Sequence, residues 1–138
     1  MKPCIFSMAV FCSLLTACRG PVPDPPARTG AREVVLKYFD ALVQQDWETA
    51  YNQIDTDTQT LVDRPTFERR ALAYRRRLGF PLGKAFVRSC DEQGEKAIAQ
   101  VILCDANRSM KHRYHEGVVL KRHADSWRIV LPSNFGIP

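Results

Sequence analysis

The sequence predicts an α+β domain: three N-terminal helices packed on a curved four-stranded antiparallel sheet, in a cone-like arrangement. Three observations predict it. Between residues 32 and 78 apolar residues recur every three to four positions, the helical period. From residue 84 the period drops to two, the strand period. The change happens once, at Gly79-Phe80-Pro81, so helices and strands occupy separate parts of the chain.

The first helix is expected over residues 32–45. Val35, Tyr38, Phe39 and Leu42 form one apolar stripe, Gly30 serves as N-cap, and Glu33 sits near the positive end of the dipole. Asp46 caps a second, shorter helix carrying Trp47, Ala50, Tyr51 and Ile54. Asp55 to Thr60 is rich in Asp and Thr, which prefer caps and turns, and a short helical turn is expected through Leu61 and Val62. The third helix starts near Asp63, with Pro65 in its first turn, where no intrahelical donor is lost. Phe67, Ala71, Tyr74 and Leu78 form its stripe, and Gly79 ends it.

The strands are expected at 84–90, 97–104, 112–122 and 127–131, with Pro132 closing the last. Asp91 to Glu95 and His123 to Ser126 are turns, and Asp105 to Arg108 is a loop.

At 138 residues the chain fits one domain, and its 45% hydrophobic and 25% charged content is that of an ordinary globular protein. The formal net charge of +5 is a mild excess, and no zinc-finger or RNA-recognition motif accompanies it, so no nucleic-acid partner is expected.

The N-terminus is different in kind. Lys2 precedes an apolar run from Ile5 to Leu15, which is too short to span a bilayer but suits a signal peptide. Leu15-Thr16-Ala17-Cys18 then resembles the bacterial lipobox: Leu, a small or hydroxyl residue, Ala or Gly, and Cys. The resemblance implies a signal peptide at 1–17, cleavage before Cys18, and a diacylglycerol thioether on the Cys18 sulfur. Two or more acyl chains anchor durably where one is marginal. The expected location is a bacterial membrane, facing the periplasm or exterior. Arg19 stands where an inner-membrane lipoprotein commonly has Asp, which favours the outer membrane in a Gram-negative cell. Residues 18–30 form a Pro-rich tether: Pro21, Pro23, Pro25 and Pro26 exclude a helix and favour an extended spacer. The domain proper is residues 31–138.

The order of elements in that domain resembles the nuclear-transport-factor-2-like (NTF2-like) superfamily of cone-shaped folds. The resemblance rests on Tyr38-Phe39-Asp40-Ala41-Leu42, on Asp46-Trp47-Glu48-Thr49-Ala50-Tyr51 at the start of the second helix, and on Trp127-Arg128-Ile129 in the final strand. These are packing motifs, and many bacterial lipoproteins of unknown function carry such a domain. Fold does not imply function.

Five cysteines are present. Cys4 and Cys12 lie in the signal segment and Cys18 is the lipidation candidate, which leaves Cys90 and Cys104. If Gln93-Gly94 is the hairpin turn, Cys90 faces Ala97 and alternation puts Cys104 on the other face. That favours two thiols, although a bulge or another register permits a disulfide. No Cys-x-x-Cys occurs, and His112 and His115, three apart on a strand, point to opposite faces, so no metal site is expected.

No P-loop, dinucleotide glycine motif or nucleophile elbow is present, and no cofactor is expected. Related cone-fold enzymes of isomerase, dehydratase or cyclase type use a pocket Asp or His together with Tyr. The corresponding candidates are Tyr38, Asp40, Tyr51, Tyr74, His112 and Tyr114, with core packing the ordinary role for the tyrosines. The third helix carries Arg69, Arg70, Arg75, Arg76 and Arg77, and Arg69 and Arg76 share a face suited to oxyanions. The leading expectation is a membrane-anchored cell-envelope lipoprotein with a non-catalytic binding or interaction domain. Its partners are the membrane, through the lipid, and an anionic envelope component or protein.

Overall fold

A computed structural model describes residues 28–107 and 111–137. The signal peptide at 1–17, Cys18 and nearly all of the tether lie outside the described residues. The elements are α1 (Ala31–Gln44), α2 (Trp47–Tyr51), α3 (Thr56–Leu61), α4 (Arg64–Arg77), β1 (Leu82–Gln93), β2 (Lys96–Asp105), β3 (Arg113–His123) and β4 (Ser126–Val130). The strands form one antiparallel sheet in the order β1-β2-β3-β4.

The α+β class stands, but among the described residues four helices precede the sheet, not three. The addition is α3, in the Asp- and Thr-rich segment read as turns. Low propensity is overridden here by contacts: the Tyr51 hydroxyl donates to the Gln59 and Val62 carbonyls, and Gln59 Nε2 donates to the Tyr51 carbonyl at 2.9 Å. Asp55 is buried and accepts from the Thr58 hydroxyl.

The other helices start where their caps place them. Gly30 adopts a left-handed φ of 102° ahead of α1. Asp46 accepts from Thr49 N at 3.1 Å, and Asp63 from Thr66 N at 2.9 Å. The C-terminus of α1 gains a tertiary cap, because Arg75 of α4 donates to the Leu42 carbonyl at 2.5 Å.

The β1–β2 hairpin turns at Gly94-Glu95, one residue later than expected, and the register is Gln93↔Lys96 and Cys90↔Ala99. Cys104 pairs with Lys84, far along the hairpin from Cys90, and both cysteines are free thiols. The pairing of β1 shifts register between Leu82 and Lys84 and between Val87 and Ser89. Along β2, Ala97, Ala99, Val101 and Leu103 point into the core, joined by Val118 and Leu120 of β3 and Trp127 and Ile129 of β4. Helix α1 covers this face, contacting β1, β2 and β4. The 53–55 segment runs beside β4, with Ile129 N donating to the Gln53 carbonyl at 2.8 Å and Asp55 N to the Ile129 carbonyl at 2.9 Å.

Both tryptophans open segments whose apolar positions share their face, which predicts burial of each. Trp127 is 3% exposed, but Trp47 is only half-buried at the start of its one-and-a-half-turn helix. No described helix is long and apolar enough to cross a membrane.

Candidate functional site

The inward parity of β3 is set by Val118 and Leu120, and extending it backwards by two residues places Glu116 on the same face. A carboxylate therefore enters the layer between helices and sheet. Tyr74, the last buried residue of the α4 stripe, meets it: its hydroxyl donates to Glu116 Oε2 at 2.9 Å. Tyr38 of α1 enters the same space, and its buried hydroxyl has no hydrogen-bond partner. Among the described residues a buried phenol without a partner is an exception worth a reason, since such groups are usually satisfied.

These three side chains line a small cavity of about 30 Å³, walled by Phe39, Val118, Ile129, Leu131 and Phe135. A space of this size holds roughly one water-sized group. It adjoins a wider pocket of about 260 Å³, which shares Tyr74, Glu116, Pro132 and Phe135 and adds Arg77, Leu78, Tyr114 and Asn134. The C-terminal tail completes the wall. Phe135 stacks on Tyr74 at 4.9 Å and on Phe67 at 5.8 Å between ring centroids. Arg77 Nη1 donates to the Ile137 carbonyl at 2.5 Å.

The electrostatics follow from the burial. Removal from water raises the Glu116 carboxyl above its ordinary value, and this outweighs the Tyr74 hydrogen bond and the charge of Arg77, which act the other way. Burial, with the Glu116 charge adding to it, pushes the Tyr38 and Tyr74 phenols far above their ordinary range. Both are therefore neutral O–H groups at any physiological pH.

Three of the six expected pocket residues converge here: Tyr38, Tyr74 and Tyr114. The others do not. Tyr51 ties α2 to α3. Asp40 lies exposed on the outer side of α1, beside Lys37 and Gln44. His112 sits just before β3, with Nδ1 3.2 Å from Asp105 Oδ2 and its ring against Phe80 at 6.0 Å. The sequence reading missed Glu116, although the alternation Glu116-Gly117-Val118-Val119-Leu120 contained the signal. It also missed the tail, whose residues follow Pro132 and carry no periodicity.

The arginines of α4 divide by role. Arg75 holds the end of α1 and Arg77 holds the tail. Arg69 and Arg76 are exposed, with Arg69 also reaching the Thr66 hydroxyl at 3.0 Å. Among the described residues no group of three or more His, Cys, Asp or Glu side chains is placed to hold a metal ion.

A second constellation fixes the start of the domain. Glu92 accepts from Thr29 N at 2.8 Å, from the Thr29 hydroxyl at 2.7 Å and from Ala31 N at 3.0 Å. Trp127 Nε1 donates to the same Thr29 hydroxyl at 2.8 Å. Burial acts to raise the Glu92 carboxyl, but these hydrogen bonds and the charge of Arg122 together hold it below the usual range.

No protein-family model matches this sequence, and no curated protein matches it significantly. Solved structures do match in fold. A Campylobacter jejuni protein provisionally described as an NTF2-like transpeptidase is 13% identical, with a TM-score of 0.55 over 72% of this chain and 96% of its own. A SEC-C motif containing protein from Rhodopseudomonas palustris is 13% identical, with a TM-score of 0.55 over 76% of this chain and 79% of its own. Another SEC-C motif containing protein, from Psychrobacter arcticus, is 15% identical, with a TM-score of 0.56 over 80% of this chain and 64% of its own. At these identities the likeness assigns an NTF2-like fold and nothing about activity.

Proposed function

We propose that this chain is a membrane-anchored cell-envelope lipoprotein whose cone-like domain is a non-catalytic binding module for a small molecule. The observation that carries the binding reading is the part-buried Tyr74–Glu116 pair, which lines both the small cavity, together with Tyr38, and the wider pocket beside it. Apolar walls with a few convergent polar groups are the ordinary make-up of a ligand site. Binding is favoured over catalysis by dimensions and donors. The smaller cavity, about 30 Å³, admits a single small group, and neither Asp40 nor His112 lines it.

The anchoring reading is supported by Leu15-Thr16-Ala17-Cys18, the apolar run before it and the prolines after it. Attachment through Cys18 leaves the domain at 31–138 free of the bilayer. The exposed Arg69 and Arg76 are then the surface offered to anionic envelope components, an attraction that salt screens over about 8 Å at physiological ionic strength.

The test has two arms. An acyl-chain probe fed to expressing cells should label the wild type and leave Cys18→Ser unlabelled and released from membranes. Equal label on both removes the anchor. Small molecules retained by the purified full chain, identified by mass spectrometry, should be lost in Glu116→Ala. Turnover of the retained molecule by wild type and not by the variant would replace binding with catalysis.

A further inference from the structure

We infer that the outer face of the sheet is the side on which the domain lies against an anionic lipid bilayer. This rests on the anchoring reading above and names the surface that meets the membrane.

Helix α1 covers the inner face of the sheet. Side chains alternate along each strand, so the residues between the core positions point to the other side. Register arranges them in rungs across the strands. Phe86 pairs with Ile102, and Ile98 pairs with Val119, which pairs in turn with Val130. Phe86 is 45% exposed, Ile98 54% and Val119 45%. A single exposed apolar side chain needs no explanation. Here Ile98 and Val119 stand directly opposite each other, and Val130 extends their rung.

The charge on this face has one sign. Lys84, Lys96, Arg113, Lys121 and Arg128 occupy its outward positions, and Asp91 is the only acid among them. Lys96, Lys121 and Arg128 form one rung, and Lys84 Nζ lies 6.0 Å from the Phe86 ring. Lys121 also meets Asp57 at 3.9 Å, an exposed pair that holds it weakly. Glu95 and Asp125 sit in the hairpin turns, outside the rungs. Each Lys or Arg near an anionic bilayer strengthens partition about fivefold. The apolar residues between these cations suit the boundary of headgroups and acyl chains, where a purely ionic polymer would leave them in water. A second copy fits poorly, because stacking two such faces sets cations against cations.

The chain enters the domain at the matching end. Thr29 is bonded to Glu92 and to Trp127, and each precedes a member of the Gln93-Lys96-Lys121-Arg128 rung in its strand. The stretch between Cys18 and Thr29 reaches at most about 40 Å. A lipid on Cys18 therefore keeps this end near the membrane and leaves the domain free to turn. Arg69 and Arg76 belong to the helical layer, and no large hydrophobic side chain of α4 is exposed beside them. They face away from the bilayer when the sheet lies on it.

The experiment places the full-length lipidated protein in nanodiscs. One set mixes phosphatidylglycerol with phosphatidylcholine, the other is phosphatidylcholine alone, and both carry a lipid with a gadolinium chelate on its headgroup. Paramagnetic broadening of the backbone amides reads which side lies near the headgroups. In anionic discs Ile98, Val119 and Lys121 should broaden about threefold more than Arg69 and Arg76. The contrast should shrink at high salt and vanish in neutral discs. Ile98→Glu, with its fold checked by the amide spectrum, should abolish the contrast, and Arg69→Gln with Arg76→Gln should preserve it. Equal broadening of the two layers, stronger broadening of α4, or a contrast that survives neutral discs or Ile98→Glu overturns the inference and leaves the Cys18 anchor standing. A dimer in detergent that Ile98→Glu dissociates gives the face to a second copy and also overturns it. An intact mass without acyl chains overturns both readings.

Discussion

The Tyr74 hydroxyl of α4 and the Glu116 carboxylate of β3 meet at 2.9 Å across the layer between helices and sheet, forty-two residues apart in the chain. The pair joins elements that the sequence keeps separate, and it leaves an ionisable group half-buried. Burying a carboxylate costs stability unless its partners compensate, and here the compensation is incomplete because the proton affinity remains raised. A group kept at such a cost is a candidate for function.

That imbalance sets a pH dependence. Because the folded domain holds the Glu116 proton more tightly than the unfolded chain does, the stability from this group is fully present below the ordinary value of 4.5. It is lost as pH rises through the raised value in the folded state. Glu116→Gln, always uncharged, should melt at the same temperature as wild type or higher at pH 7.5. Its advantage should shrink as pH falls to 4. A variant clearly less stable than wild type at pH 7.5 would show that the ionised carboxylate is well satisfied in the fold.

Glu92 behaves in the opposite sense. Its carboxyl is held low, so its contribution is present above 4.5 and is lost as pH falls through the depressed value. Three donors from Thr29 and Ala31 converge on it, closing the start of α1 against the β1–β2 hairpin. Glu92→Ala should cost about 1 kcal/mol at neutral pH, a charged hydrogen-bond value discounted for solvent access. The loss should be smaller in acid. Hydrogen exchange at Ala31 and Arg32 should quicken with little change at β2, and equal protection of the two segments in both proteins would dissociate Glu92 from the junction.

How much of this was legible follows from which signals are local. The caps at Gly30, Asp46 and Asp63 and the stripes they start are properties of a few neighbouring residues, and they appear where the sequence places them. Helix α3 was misread because Asp and Thr propensities favour turns, and its supports come from Tyr51, outside the segment. For the pocket, the tyrosines were visible as stripe residues, but their convergence on one carboxylate depends on the β2–β3 register and on how α4 crosses the sheet. Neither is encoded in any single window. Glu116 itself was within reach by strand parity. The tail was not, since Phe135 and Gly136 act through tertiary contacts alone.

The two tryptophans give a graded test of the core. Trp127 is buried and bonded to Thr29, whereas Trp47 is half-buried. Trp127→Ala should cost about 3–5 kcal/mol, the usual range for truncating a fully packed aromatic. Trp47→Ala should cost clearly less. Urea midpoints of the two variants decide this, and equal losses would put Trp47 in the core after all.

The last prediction concerns the tail that walls the pocket. Gly136 has a φ of +63°, and a Cβ placed there would lie 2.0 Å from the Arg70 carbonyl oxygen of α4. Gly94, in the β1–β2 turn, has a nearly equal φ of +60° with nothing within 4 Å of such a Cβ. Replacing either by Ala therefore carries the same left-handed backbone penalty, roughly 1–2 kcal/mol. Only Gly136→Ala adds a collision with backbone that cannot rotate away. The tail must then lift, withdrawing Phe135 from its stack on Phe67 and Tyr74 and the Ile137 carbonyl from Arg77. Gly136→Ala should lower the melting temperature more than Gly94→Ala does. It should also expose the segment after Pro132 to a protease, while the Gly94 variant stays resistant there. Equal melting temperatures and equal resistance would mean that the tail does not press on α4, and the pocket would lose its Phe135 wall.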